Sequence, residues 1–409
     1  MAFGIREAAA RRVVKVLIAG GGIGGLSAAL CLHRAGHEVS VFERTPERGE
    51  IGAGIQLGAN AVRVLDSLGL RGAFEKVVVR PDAIRFRLYD SGETLLETPL
   101  GQAYEDRYGA PYYHVHRADI HAILADAFEA ASPGSIHLAS EAVGFEERAD
   151  GVSLRLKGGR SVDGDCLVGA DGLKSATRDQ IVGAAPCNWT GNVAWRGTVV
   201  TSRLPAGFMD KIVSNFVGPR KHVVIYYLRR QELVNFVGVV ENDAWRDESW
   251  TVKAPWKELK ADYSGWHETV QAVIDAMDED ECYRWALFNR LPMDNWSTDR
   301  VTLLGDAAHA TLPFMASGAA MAIEDARVLT RALEQAGSVG AGLRLYQRNR
   351  LERTARIQTT STAMGQLYHQ PDADAFRKGF TRAQEARSRS DEDRNAWLAS
   401  YDPNTVKLV

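Results

Sequence analysis

The apolar positions of the chain fall into runs of different period, and their order predicts an architecture. Val13 to Ala19 ("VVKVLIA") is an almost unbroken aliphatic stretch, the mark of a strand buried on both faces. Leu26 to Arg34 then reads as a helix ended at Gly36, and Glu38 to Phe42 as a second strand. Ala59 to Leu68 carries Val62, Leu65 and Leu68 on one helical stripe, and "VHRADIHAILADAF" carries Ile120, Ile123, Leu124 and Phe128 on another. From about residue 190 to 295 the period changes. "NVAWRGTVV", "KIVSNFVG", "HVVIYYL" and "LVNFVGVV" are short β-rich runs that predict an antiparallel sheet. Val301 to Leu304 is again a buried strand, followed by a long loop of Gly, Ala, Ser and Pro and a helix starting near Gly318. Gly318 to Gln335 and Leu343 to His369 have helical spacing, and "RAQEARSRSDEDRN" reads as a solvated helix or linker.

Composition narrows the class. The 409 residues exceed one core of about 100–200, so two closely packed domains are expected. Hydrophobic residues at 45% and charged residues at 25% are ordinary for a globular enzyme. A net charge of −3 offers no footing for a nucleic acid or an anionic membrane. Cys31, Cys166, Cys187 and Cys282 are scattered without a C-x-x-C pair, which suits free thiols in a reducing compartment and no metal site. No apolar run reaches the ~18–20 residues of a membrane span, and "MAFGIREAAARR" lacks a signal-peptide core. A soluble cytoplasmic protein is expected.

The first strand, helix and second strand enclose Gly20, Gly22 and Gly25 in a G-x-G-x-x-G pattern, and Glu43 closes the unit. Gly20 permits a tight turn, Gly22 lets a pyrophosphate approach the backbone, and Gly25 lets helix and strand pack closely. The helix N-terminus offers free N–H groups to phosphate. Glu43 is placed to accept hydrogen bonds from ribose hydroxyls. These pieces in order point to a dinucleotide site. No second G-x-G-x-x-G occurs, so a second nucleotide would lack a cradle of its own.

Two further stretches, "CLVGADGLKSATR" and "VTLLGDAAHATLPFMASGAAMAIEDA", complete a set. With the N-terminal unit they make the chain resemble the group A flavoprotein monooxygenases, aromatic hydroxylases built on one dinucleotide-binding domain. "ASG" with "MAIEDA" is most similar to the 3-hydroxybenzoate 6-hydroxylase branch, with salicylate hydroxylase and 6-hydroxynicotinate 3-monooxygenase nearby. The resemblance implies an α/β fold: a single Rossmann-like FAD-binding domain interleaved with an antiparallel-sheet substrate domain and a helical C-terminal region. The expected division is 13–80, 111–185 and 296–335 for FAD, 81–110 and 186–295 for the substrate sheet, and 336–409 for C-terminal helices. FAD contacts are expected from Gly20, Gly22, Gly24, Gly25, Glu43, Arg44, Gly54, Arg117, Asp171, Asp306, Pro313, Ser317, Gly318 and Ala319. The chain departs from the family at Ala310, where Pro is common, and at Ser317, where Gln is common. Asp171 has an alternative reading as a cap for the segment Leu173 to Ala176, and Asp306 as a helix cap.

The run "HVVIYYL" puts His222, Val224 and Tyr226 on one strand face and Val223, Ile225 and Tyr227 on the other, where Val223 and Ile225 read as core. Spacing alone favours solvent over a cavity for His222 and Tyr226. The resemblance implies the opposite: a histidine and a tyrosine in the substrate pocket, the histidine acting as base toward a phenol, with Gln56 and Pro313 also reaching the substrate. The dense aromatics Trp195, Phe216 and Phe236 read first as sheet core. The implied activity is NAD(P)H-dependent hydroxylation of a small aromatic acid through a flavin C4a-hydroperoxide, with NADH favoured by branch. The substrate is expected to be 3-hydroxybenzoate or salicylate, with 6-hydroxynicotinate as the alternative. FAD, NADH or NADPH, and O₂ are the cofactors, and a homodimer is implied. A flavin reductase or dehydrogenase without oxygen insertion, or a non-catalytic flavin binder, fits the same FAD motifs.

Overall fold

The computed structural model describes residues 13–48, 54–242, 252–389 and 396–409. The N-terminal dodecapeptide and the end of the mixed-charge segment therefore lie outside the described residues, and so does part of the extended stretch after Glu43. No helix among the described residues is long and apolar enough to cross a membrane.

The first apolar run becomes the central strand, Lys15–Ala19, of a five-stranded parallel sheet. The order across it is Val301–Leu303, Cys166–Gly169, Lys15–Ala19, Glu38–Phe42, Ile136–His137. Val16 and Ile18 enter one apolar cluster while Leu17 and Ala19 enter another, so the strand is covered on both faces as its composition predicts. Helix Ile23–Arg34 packs on one side against the long helix Gly318–Gln335. Register aligns Ala19 with Gly169 and Gly169 with Leu303. The loops leaving these three neighbouring strands therefore converge on one edge of the sheet, where open parallel sheets place their ligands.

A second, seven-stranded sheet stands beside it, ordered Tyr283–Asn289, Asn188–Val200, Leu233–Glu241, Lys221–Leu228, Val213–Gly218, Ala83–Leu88, Thr94–Pro99. All neighbours are antiparallel except Val213–Gly218 with Ala83–Leu88. Strand alternation divides its two faces. Val223, Ile225 and Tyr227 join Trp195, Phe216 and Phe236 in an apolar core under helices Trp256–Asp262 and Glu268–Ala276. These aromatics are packing residues. The opposite face, with His222, Val224 and Tyr226, turns toward the parallel-sheet half. The C-terminal helices Val339–Tyr368 and Ala373–Arg389 cover its edge, laying Tyr368 and Phe380 against Phe86.

The chain is thus α/β with the interleaved architecture expected. Two small sheets were not foreseen: Gly54–Leu57 with Tyr113–His116, and the meander Ala142–Glu147, Val152–Leu156, Ser161–Gly164. The strands are short, and Ala142–Glu147 and Ser161–Gly164 are only partly buried, so the apolar alternation is weak there. The loop before Gly318 also contains local order, a helical turn Asp306–His309 and a 3₁₀ turn Pro313–Met315.

Candidate active site

The three converging loops build one end of a cavity of about 710 Å³. Gly20 has φ +105°, and a Cβ there would stand 2.3 Å from the Ala170 carbonyl oxygen. At Gly25 a Cβ would come within 2.0 Å of the Gly20 carbonyl oxygen. Both glycines are demanded by backbone approach within the fold. Gly22 is different: its φ is −73°, and a Cβ would meet nothing within 4 Å. It borders open space at the N-terminus of helix Ile23–Arg34, which no side chain caps. Uncapped N–H groups beside an open glycine form an anion cradle. Glu43 lies at the end of the second strand, its carboxylate accepting from the Gly21 N–H at 2.7 Å and the Thr45 N–H at 2.9 Å. A dinucleotide pyrophosphate fits this turn, and a ribose fits the carboxylate that the two N–H groups hold.

The cavity continues along the loop before Gly318. Asp306 is exposed on its wall and does not cap its own helix, whose N-cap is Gly305. Ala316 takes a left-handed conformation, φ +49°, and Ser317 Oγ donates to the Met315 carbonyl at 2.8 Å. This turn starts the long helix with Gly318 and Ala319 on the wall, where small side chains leave room for a flat ring system.

At the far end stand His222 and Tyr226, each 3% exposed. Edge-on contacts with Phe314 and Tyr368, ring centroids 5.1 Å away in each case, hold the His222 ring. Its Nδ1 lies 2.8 Å from Nε2 of His369. Burial, and then the neighbouring His369, push the His222 imidazole well below its ordinary value. Burial raises the Tyr226 hydroxyl well above its own, against a smaller opposing effect of Gln56. Near neutral pH His222 is therefore an uncharged acceptor and Tyr226 a protonated donor. The Tyr112 hydroxyl donates to Gln56 Oε1 at 2.8 Å beside them. His114, packed 4.5 Å from the Tyr226 ring, is pushed down to about 3 by burial and is neutral too. A Cβ at Gly54 would stand 2.4 Å from the Tyr226 hydroxyl, so glycine there makes room for the tyrosine.

Beneath the small-residue loop lies an ionic network that the apolar pattern hides. Asp325 and Glu324, both fully buried, receive Arg350: Nε reaches Asp325 Oδ1 at 2.6 Å and a terminal nitrogen reaches Glu324 Oε2 at 2.7 Å. His309 Nε2 lies 2.6 Å from Asp325 Oδ2, which also accepts the Gly305 N–H at 3.1 Å. Asn60 and Arg353 complete the shell around Glu324. Burial opposes the charge of Asp325, but His309 and Arg350 outweigh it and bring its carboxyl down to about 2. The network ties the turn at Gly305–His309 to two long helices.

Of the residues expected in the site, Gly22, Gly24, Gly54, Gln56, Arg117, Asp306, Pro313, Ser317, Gly318 and Ala319 lie on the cavity wall with His222 and Tyr226. Gly20 and Gly25 shape the turn from behind it. Glu43 stands off the wall at the strand end, and Arg44 is exposed beside it. Asp171 makes the cap of its alternative reading: Ser175 donates to Oδ1, and the backbone and hydroxyl of Thr177 donate to Oδ2 at 3.1 and 3.0 Å. Its carboxylate caps the turn into helix Ala176–Val182, and the flanking Ala170 and Gly172 line the cavity. The solvent-facing position that spacing favours for His222 and Tyr226 is corrected, because the parallel-sheet half and the C-terminal helices cover that strand face. Asn215 and Tyr112, on the cavity wall, and His369, behind His222, carried no local signal.

A protein family described as FAD binding domain matches residues 13–361. The 3-amino-4-hydroxybenzoate 2-monooxygenase PtnB3 of Streptomyces platensis is 39% identical over 393 residues, 96% of this chain and 97% of that one. The 3-hydroxybenzoate 6-hydroxylase of Polaromonas naphthalenivorans (strain CJ2) is 39% identical over 362 residues, 87% of this chain and 88% of that one. Among solved structures, Klebsiella pneumoniae HpxO complexed with FAD and uric acid superposes with a TM-score of 0.79 at 28% identity, covering 91% of this chain and 92% of that one.

Proposed function

The chain belongs to the FAD-binding-domain family and is an FAD-dependent aromatic monooxygenase using NAD(P)H and O₂; we propose that it hydroxylates a small phenolic acid held against His222 and Tyr226. One observation carries this reading: a single cavity runs from the open glycine turn at Gly22 to the His222–Tyr226 pair. FAD bound along Gly22, Arg117, Asp306 and the Ser317–Ala319 turn would supply the activation of O₂.

The chain's own residues prepare the substrate. A phenolate is a better carbon nucleophile than a phenol, so removing the hydroxyl proton favours ring attack on an electrophilic oxygen. His222, neutral and with Nδ1 engaged by His369, offers Nε2 as acceptor. Tyr226 stays protonated and donates to the oxygen that His222 deprotonates, orienting it. Apolar walls from Val224, Val239 and Phe314 exclude water, which protects reactive oxygen species from wasteful collapse.

The two relatives named above act on benzoates with a ring hydroxyl, and the 3-amino-4-hydroxybenzoate type was not anticipated from sequence. We place 3-amino-4-hydroxybenzoate and 3-hydroxybenzoate first among substrates, salicylate next, and 6-hydroxynicotinate as the hydroxypyridine alternative. NADH is the proposed reductant. A reducing cytoplasm suits Cys31, Cys166 and Cys282, whose burial raises each thiol to about 12. A homodimer completes the proposal and is read by sedimentation. NADH oxidation by the FAD-loaded enzyme, measured over these four acids with product identification, tests the substrate class. Stimulated oxidation with a hydroxylated product is expected for at least one, and no stimulation by any would overturn it.

A further inference from the structure

His222 is backed by a chain of groups that leads out of the cavity. Its Nδ1 lies 2.8 Å from His369 Nε2, and His369 Nδ1 lies 3.0 Å from Glu241 Oε1. The His369 side chain is 4% exposed and that of Glu241 is 35% exposed, so the chain starts on the cavity wall and ends in water. Its outer end opens on a second recess bordered by Trp189 and Asn289. Arg220 Nε donates to Glu241 Oε2 at 2.9 Å, which leaves Oε1 to His369.

Donor and acceptor chemistry orders the three groups. An ionised carboxylate only accepts, so His369 carries its hydrogen on Nδ1. A neutral His369 then presents a bare Nε2, and the hydrogen between the two rings belongs to His222 Nδ1. Neutral His222 is left with a bare Nε2, the nitrogen available to the cavity. The carboxylate two links away thus selects one tautomer of the cavity histidine.

We propose that His222, His369 and Glu241 form a proton relay that presents His222 Nε2 as the acceptor and carries the substrate's phenolic proton toward solvent. The proposal rests on the reading of His222 as the group facing the substrate hydroxyl. The phenolic O–H bond breaks as Nε2–H forms, the Nδ1 proton of His222 moves to His369 Nε2, and the Nδ1 proton of His369 moves to Glu241 Oε1 and on to water. No electrons change hands, and both rings end neutral with their hydrogens on the opposite nitrogens. Reprotonation of the product oxygen from Nε2, with the hops reversed, restores the start. Without His369 the proton would remain on a buried imidazolium, a state that burial disfavours. His369 and Glu241 are positioning residues, acting on substrate only through His222.

Two readouts test this on the FAD-loaded enzyme. Ring-nitrogen NMR of ¹⁵N-histidine-labelled protein reads the tautomer without any substrate. His222 is expected to carry hydrogen on Nδ1 alone in the wild type and to gain the Nε2–H form in His369→Phe, a flat ring that preserves the aromatic packing. A wild-type His222 protonated on Nε2 would overturn the relay. Stopped flow with a pH indicator then follows proton release when the fastest of the four acids above binds. Release and hydroxylation are expected to slow by about 10–100-fold in His369→Phe, the size typical of losing a group that orients a histidine. Flavin reduction by NADH should be unchanged. Glu241→Gln, a change at the exposed end that spares the interior, should slow the same two steps. If both variants match the wild type while His222→Asn is slow, the relay fails and His222 stands as base. If His222→Asn also matches the wild type, the base reading fails and takes the relay with it.

Discussion

His222 and Tyr226 are driven in opposite directions by one cause. Burial disfavours the charged form of each, so the imidazole is kept neutral as an acceptor and the phenol protonated as a donor. Tyr226→Phe keeps the ring and its contact with His114 but removes the donor. It is expected to raise the substrate KM and lower hydroxylation less than His222→Asn does, in steady-state assays with product quantified; a Tyr226→Phe enzyme indistinguishable from wild type would remove the tyrosine from the site. At this scale the sequence was half legible. Period-two alternation in "HVVIYYL" put the pair on one face and Val223 and Ile225 in the core, where Tyr227 joins them. It could not tell water from cavity, because what covers that face comes from the parallel-sheet half and from helices over a hundred residues away. His369, 147 residues from His222, is one histidine at the end of a helix, and only folding brings the rings together.

The element that organises the cofactor end is the turn from strand Lys15–Ala19 into helix Ile23–Arg34. Its glycines differ in what they permit. Gly20 and Gly25 have backbone atoms where a Cβ would go, whereas Gly22 has ordinary φ and open space. Gly22→Val should therefore fold normally and lose FAD, which absorbance of the purified protein and its circular dichroism would show together; a yellow Gly22→Val protein would contradict the cradle. The motif made this element legible because each glycine has a local backbone reason. The network under the neighbouring loop was not legible. Glu324 and Asp325 sit among Met321, Ala322, Ile323 and Ala326, all buried, and nothing in that stripe names what the acids pair with. Their partner Arg350 lies on another helix. Asp325→Asn removes one of the two carboxylates that hold Arg350, and the carboxylate beside His309, and is expected to cost roughly 3–5 kcal/mol in denaturant unfolding; a loss below about 1 kcal/mol would show that the network contributes little.

At the scale of the molecule, two sheets and the C-terminal helices enclose one cavity, and the buried ionisable groups give that assembly a pH profile. His114 is held at about 3 in the folded chain against an ordinary 6.5, so the unfolded state takes up the extra proton and stability falls as pH drops below about 6.5 toward 3. His222 acts in the same sense. Asp325, depressed to about 2 from 3.8, adds stability above about pH 4 that is lost between about pH 4 and 2, on the order of 2 kcal/mol. Urea midpoints should fall in two stages on acidification, the first made smaller by His114→Phe and the remainder of it belonging to His222. A flat midpoint between pH 6.5 and 4 would contradict the neutral buried histidines. The interleaved layout was legible in the order of apolar periods and glycine motifs. The enclosure was not, since Phe380 and Tyr368 reach the cavity only through the packing of helices whose own patterns show no more than an apolar stripe. On the proposed reading this one cavity joins flavin chemistry to proton removal by His222. Its most direct test is the yield of ¹⁸O-labelled hydroxylated product per NADH oxidised under ¹⁸O₂, for the wild type and His222→Asn. Close to one labelled oxygen per NADH is expected in the wild type. In the variant the expected yield is lower by about tenfold or more, with flavin content and reduction rate unchanged and hydrogen peroxide making up the difference. Equal labelled yields from the two proteins, or none from the wild type, would contradict it.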